Sequence, residues 1–318
     1  MNTCDWRTVS SAEVAPLYQS EIDRWDAALH WDTRANWRLV EAARAVGTLP
    51  GVVVHDRSGA VEGWAFYLLH GDALQIGAFV CRSPSATAAV LGAILSSREA
   101  EAAVSVTLFT FADAPGIAGE LQRGGFATSH YRYLERSLAG EAGVALCGGG
   151  VNSPQVTEGR APAYRGWQAA DLVPVAELLS RAYAGPDASR PFVREGRLEH
   201  WIEYVEQLVT TRGCGVFLPE VTVVGESTRG VDAIVLATRL SPGTAHLAQV
   251  AVEPAVQRSG RGRLILSSAL ANLRAASYAR ATLLVSAANG AANGLYDQMG
   301  FVEAATFIAA VRDNGGGR

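Results

Sequence analysis

Gln257, Arg258, Ser259, Gly260, Arg261 and Gly262 stand between a run that reads as a strand, ending at Val252, and a run that reads as a helix. The two glycines let the backbone turn tightly and come close to a ligand. A loop feeding a helix start presents N–H groups without intrahelical acceptors, together with the positive end of the macrodipole. That combination forms an anion site suited to a pyrophosphate. Arg258, Arg261 and Arg263 add guanidinium charge that matches phosphate oxygens. A dinucleotide fingerprint would need glycine where Ile265 stands, and a Walker loop would continue with Gly-Lys-Ser/Thr; this chain has neither. For the glycines taken alone, a helix-capping turn is the competing reading.

A second segment follows after one more strand-like run: Asn289, Ala292, Leu295, Tyr296, Gly300 and Phe301, in the spacing N-xx-A-xx-LY-xxx-GF. With the glycine loop and Val250-Ala251-Val252-Glu253-Pro254 ahead of it, this segment resembles the GNAT family, the Gcn5-related N-acetyltransferases, strongly over 161–318 and weakly over 1–140. The resemblance implies acetyl-CoA as cofactor, with no metal. The strand around Val250, Ala251 and Val252 would hydrogen-bond the pantetheine arm, and Gln257 to Arg263 would hold the pyrophosphate. Asn289 and Ala292 would contact the cofactor, and Tyr296 would lie by the thioester sulfur as general acid. A phenol titrating near 10 is protonated at neutral pH and can donate to a departing thiolate; the other reading of Tyr296 is packing of the short helix.

The acceptor amine must lose a proton before it attacks, so a base or a water chain is sought. His246 falls where some family members carry a catalytic glutamate, and it shares sequence parity with Val250 and Val252, so all three are expected on one face. Histidine titrates near neutrality; a structural histidine at a strand start is the alternative. Gln249 could orient water or substrate. Glu220, Glu226 and Glu253 read as solvated charges. Tyr183–Glu199 is rich in Gly, Pro, Asp and Arg, and offers Tyr183, Asp187, Arg190, Phe192 and Arg194 as acceptor contacts or as a plain connecting loop.

These residues need a scaffold. The order expected in the C-terminal half is ααβββαβαβ: helices over about 171–184 and 198–209, strands 216–226, 232–241 and 245–252, a helix 262–276, a strand 282–286, a helix 291–298 and a strand 302–311. The N-terminal half repeats this order more faintly, which means two related domains and not a solenoid. A Gly-, Pro- and Asn-containing stretch separates them, giving a domain 1–140, a linker 141–160 and a catalytic domain 161–318. The expected fold is α/β (α+β): two tandem GNAT-like domains, each a mixed, mostly antiparallel sheet flanked by helices. In the first half the phosphate loop is replaced by Arg82-Ser83-Pro84-Ser85-Ala86-Thr87, the tyrosine position by Leu121 and the asparagine position by Ala114, so it reads as a degenerate copy. Its tryptophans are expected in the core or at a domain interface.

Composition narrows the remaining classes. Of 318 residues 49% are hydrophobic and 18% charged, enough for a substantial core. The net charge is −4 and no Lys/Arg run stands out, so nucleic acid is not an expected partner. The four cysteines form no CxxC pair, which argues against a metal site and a disulfide framework. No signal peptide or membrane span is expected, and the reading is a cytoplasmic monomer or homodimer. The expected function is acyl-CoA-dependent N-acylation, first of a primary amine on a small molecule. A protein lysine or N-terminus is the second choice of acceptor, and a non-catalytic acyl-CoA-binding sensor the alternative of another class.

Overall fold

The computed structural model describes residues 1–139, 163–184, 196–211 and 213–315. The expected linker 141–160 lies outside the described residues. The chain groups into two compact units, neither of them one stretch of sequence: Met1–Tyr133 with Val285–Asn293 and Glu303–Arg318, and Leu134–Leu284 with Gly294–Val302.

In the first unit, β1 (Asn2–Asp5), β2 (Gly51–His55), β3 (Val61–His70) and β4 (Ala73–Cys81) pair antiparallel in sequence order. β5 (Ser105–Phe111) joins β4 in parallel. The last strand of the chain, β13 (Val302–Asp313), pairs antiparallel with β5 through Phe307–Asp313. Two helices, α1 (Ser11–Leu29) and α2 (Arg34–Ala45), belong to a cluster with Trp6, Tyr18, Trp64 and Phe66 at its centre. Trp6 and Trp64 are core residues, as their size and apolar surface demand. Helix α3 (Pro84–Leu95) buries Ala86, Val90, Leu91 and Ile94 in a second core with β2 to β5. The short α4 (Arg98–Ala102), α5 (Ile117–Arg123) and β6 (Ala127–Ser137) follow.

The second unit repeats the plan. β7 (Ala163–Gly166), β9 (Val223–Ser227), β10 (Gly230–Ser241) and β11 (Thr244–Val252) form an antiparallel sheet in that order, and β12 (Arg280–Ser286) joins β11 in parallel. The two-residue β8 (Val216–Phe217) sits on β10. The single strand expected over 216–226 is broken because Pro219 lacks the N–H a central strand needs, and the chain makes a turn in which Val221 and Thr222 donate to the Leu218 carbonyl. Helices α6 (Leu172–Ala182) and α7 (Leu198–Thr210) bury Val175, Leu178, Leu179, Trp201 and Val205 against Val224, Ile234, Leu236 and Ala251. Asp171, expected to cap α6, turns its carboxylate back to the Gln168 N–H at 2.7 Å and to Arg165. Helix α8 (Arg261–Ala275) packs on β10 and β11, and α9 (Gly290–Gln298) precedes the last strand.

The internal repeat extends to irregularities. The parallel ladder holds four residue pairs in each unit, Ala73–Ile76 with Ser105–Leu108 and Thr244–Leu247 with Arg280–Leu283. In both, the strand before the crossover helix is bulged just past that ladder, at Gly77 and at Ala248, because one residue is skipped in its pairing with the preceding strand. Among the described residues no helix is long and apolar enough to cross a membrane.

Candidate active site

The bulge at Ala248 decides which way β11 faces. Leu236 is opposite Gln249 and Thr238 is opposite His246, while Ala248 has no partner on β10. Opposed residues share a face, so His246 lies on the side of Gln249 and Ala251, not on that of Val250 and Val252. The expected common face of His246, Val250 and Val252 is therefore corrected: simple parity fails across one extra residue.

Beyond the bulge the backbone itself becomes the functional feature. Glu253 N donates to Asp232 O at 2.8 Å, which makes that opposed pair a hydrogen-bonded one. Alternation then gives a hydrogen-bonded pair at Ile234 and Ala251, and turns the N–H and C=O of Val250 and Val252 away from β10. They face the edge from which β12 has departed, since its ladder ends at Leu247 with Leu283. The Gln257 side chain confirms the direction at Val252, donating to its carbonyl at 3.1 Å. The result is a wedge between two parallel strands, lined by amides.

At the wide end of the wedge the chain passes through a 3-10 turn, Pro254–Val256, into the glycine loop. Arg258 takes a left-handed φ of 60° and Gly260 one of 86°. Gly260 is the N-cap of α8, and the first amide to find an acceptor in the helix is Leu264, on the Gly260 carbonyl at 3.1 Å. The N–H groups of Arg261, Gly262 and Arg263 therefore have no partner within the helix. A Cβ on Gly262 would stand 3.7 Å from Val252 Cγ2 and 3.4 Å from Leu295 Cδ2, ordinary contact distances, so β11 and α9 both approach α8 closely at this point. Ser259 Oγ is spent on the Val256 carbonyl at 2.6 Å.

The loop arginines divide. Arg258 remains a charge on the turn. Arg263 donates to Gln298 Oε1. The Arg261 side chain is turned away from the expected phosphate contact: it is 5% exposed and ion-paired with Asp232 on β10. Its guanidinium lies 4.7 Å above the Tyr164 ring. The buried guanidinium has a carboxylate beside it to match its charge, while its Nη1 is buried without a hydrogen-bond partner.

Tyr296 is 6% exposed on α9, its ring edge-on to Phe301 with centroids 5.8 Å apart. Burial, and secondarily the neighbouring Tyr183, push its phenol above the ordinary range, so it holds its proton at neutral pH. Asn289 caps α9 by accepting the Ala292 N–H at 3.1 Å, which makes these two residues a helix start; both belong to the Val285–Asn293 stretch of the first unit.

Tyr183 and Gln249, expected as acceptor contacts, are brought together. Tyr183 Oη donates to Gln249 Oε1 at 3.1 Å, and Gln249 Nε2 donates to Tyr204 Oη at 2.6 Å. The Tyr183 ring stacks on Trp201, centroids 5.6 Å apart, and Trp201 meets Tyr204 edge-on. Gln249 is only 3% exposed, so its amide is locked in place. Sequence reasoning missed Tyr204. It lies three residues after Trp201 on α7, a spacing that was legible but read only for its apolar members. Phe192, with Asp187, Arg190 and Arg194, lies outside the described residues.

His246 does not fit the base role expected of it. Its ring is 9% exposed and Nδ1 is 3.0 Å from Thr282 Oγ1. Burial drives its pKa down to about 4 from 6.5, so it accepts a proton from an ammonium group poorly at neutral pH. A stability consequence follows. The unfolded ring takes up a proton near 6.5 and the folded ring only near 4, so stability falls as pH drops through that window and levels off below it. The shift corresponds to about 3 kcal/mol. Urea titrations of wild type and His246→Gln between pH 7 and 4 should show that extra loss only in the wild type; parallel curves would mean the ring titrates in contact with water.

In the first unit the corresponding places are filled. Ser83 Oγ accepts the Ala86 N–H at 3.3 Å at the start of α3, with Pro84 as its first residue. Thr110 Oγ1 reaches across from β5 to the Phe79 carbonyl at 3.4 Å. The Phe66 ring lies on the bulge, where a Cβ on Gly77 would stand 2.1 Å from it. Leu121 and Ala114 are core residues.

Residues 212–303 match the family model described as an acetyltransferase (GNAT) domain. No curated protein matches the chain. Among solved structures it is similar to a GCN5-related N-acetyltransferase from Sphaerobacter thermophilus, with 14% identity and TM-score 0.66 over 99% of this chain and 97% of that one. It is also similar to a tandem GNAT protein from the clavulanic acid biosynthesis pathway, with 17% identity and TM-score 0.54 over 85% and 84%. A third neighbour is the glucosamine N-acetyltransferase region of a fungal multi-domain beta-N-acetylglucosaminidase, with 11% identity and TM-score 0.60 over 98% of this chain and 38% of that one. At these identities the likeness establishes the fold.

Proposed function

For a chain with the tandem GNAT fold whose residues 212–303 match the GNAT acetyltransferase domain, we propose acyl-CoA-dependent N-acylation, from acetyl-CoA to a primary amine of a small molecule by direct attack. The observation that carries this reading is the wedge between β11 and β12, with the outward-turned amides of Val250 and Val252 leading to the unpaired N–H groups of α8. An extended amide-bearing arm ending in a pyrophosphate fits that sequence of donors. Bound acetyl-CoA supplies an acyl thioester.

The chain's own residues would do the rest. Val250 and Val252 hold the arm by strand-like hydrogen bonds. Arg261, Gly262 and Arg263 offer backbone N–H groups to the anion. Tyr296 presents a protonated phenol to the departing sulfur. Tyr183 and Gln249 orient the amine. With His246 a weak base, the amine enters as its free base, so the rate rises with pH as the amine's ammonium form loses its proton.

The test is thiol release from acetyl-CoA across a panel of amino sugars, polyamines and amino acid derivatives. Amine-dependent release is expected. Tight CoA binding without release for any amine, including peptide lysines and N-termini, would leave a cofactor sensor in place of an enzyme.

A further inference from the structure

Asp232 touches both ends of the glycine loop. Its backbone carbonyl accepts the Glu253 N–H at 2.8 Å, where β11 leaves the sheet. Its carboxylate accepts from Arg261 Nε at 3.1 Å and from Arg261 Nη2, where α8 begins. One residue of β10 thus fixes the two points between which residues 254–260 must run. Arg261 Nη2 also donates to the Glu226 carbonyl on β9 at 3.2 Å, and its guanidinium covers the Tyr164 ring on β7. Gly225 makes the space: a Cβ there would stand 3.0 Å from Arg261 Nη2 and 3.4 Å from Asp232 Oδ1. The first residue of a helix is a poor place for a cation, because the macrodipole is positive there. Its burial at that position is compensated by the Asp232 carboxylate, whose own side chain is 10% exposed.

We propose that Asp232 and Arg261 are positioning residues that clamp the glycine loop, holding it before ligand arrives in the shape that receives a pyrophosphate. The proposal rests on the acyl-CoA reading above. A loop held in its bound shape loses less entropy on binding than one that must be ordered, and the effect is confined to ligands that carry the pyrophosphate.

The experiment compares acetyl-CoA with acetyl-pantetheine, which has the same thioester and arm but no pyrophosphate. It uses the full chain, wild type, Asp232→Asn and the double variant Asp232→Asn/Arg261→Met. Removing both charges avoids stranding one of them in the interior, so the double variant folds even where a single one fails. Calorimetry of CoA should show affinity about tenfold weaker in the variants, and the preference in KM for acetyl-CoA over acetyl-pantetheine should shrink by about the same factor. Unchanged CoA affinity in the folded double variant would overturn the clamp while leaving the acyl-CoA reading intact. Equal losses on both thioesters would overturn it too, by showing general structural damage. A wild type that binds no CoA would overturn the reading on which the clamp rests.

Discussion

Replacing Tyr296 by Phe should lower kcat by about 10- to 1000-fold while CoA affinity stays within about twofold. The argument starts from charge. As the acyl group leaves, negative charge grows on sulfur, and a donor fixed beside it stabilises that charge more than it stabilises the bound thioester. Tyr296 is buried, and its phenol is held in the protonated form by desolvation and by Tyr183. Phe keeps the ring and its edge-on contact with Phe301. It also keeps the backbone carbonyl that accepts Met299 and Phe301 N–H groups at 3.0 and 3.1 Å. Only the O–H is removed. Because a thiolate leaves tolerably without full protonation, the smaller end of that range is expected. Full kcat in the variant, with chemistry shown to limit the rate, would reduce Tyr296 to a packing residue.

The second large effect concerns Gly260. Its φ of 86° favours glycine, yet Asn and Asp tolerate left-handed backbone better than other side chains, and no atom stands within 4 Å of a Cβ built there. Gly260→Asn and Gly260→Asp therefore carry the same strain and nearly the same volume. They differ by one negative charge at the place where a pyrophosphate would dock. Two like charges about 4 Å apart near a protein surface repel by roughly 4 kcal/mol before screening. Gly260→Asp should weaken CoA at least about 100-fold relative to Gly260→Asn, allowing for partial screening. The difference should narrow at high salt. Equal affinities in the two variants would remove the loop from the cofactor site.

What was legible in the sequence was local. Gly260 and Gly262 before an amphipathic helix, and Leu295-Tyr296 ahead of Gly300-Phe301, are short-range patterns whose geometry is fixed by the residues that form them. Both lie on the elements expected, at a helix start and on the helix before the last strand. What was not legible depended on partners far along the chain. Arg261 reads as a phosphate ligand until Asp232, 29 residues earlier, is seen to hold it. His246 reads as facing Val250 until Ala248 is seen to be the extra residue of a bulge, which alternation of residue types does not reveal. The repeat of order marked β13 as the closing strand, but its pairing with β5 joins positions about two hundred residues apart, for which no local signal exists. Tyr204 was hidden for another reason: its value lies in the hydrogen bond from Gln249, not in the apolar stripe of α7.

The two units share strand order, parallel ladder and bulge, and differ in what occupies the wedge and the helix start. In the first, Thr110 bridges to Phe79, Phe66 covers Gly77 and Ser83 caps α3. In the second, the amides of Val250 and Val252 turn away from β10, and those of Arg261, Gly262 and Arg263 have no partner within the helix. A calorimetric titration of the wild-type chain with CoA tests this contrast most directly. One site per chain is the predicted result. Two equivalent sites, or no binding at all, would contradict it.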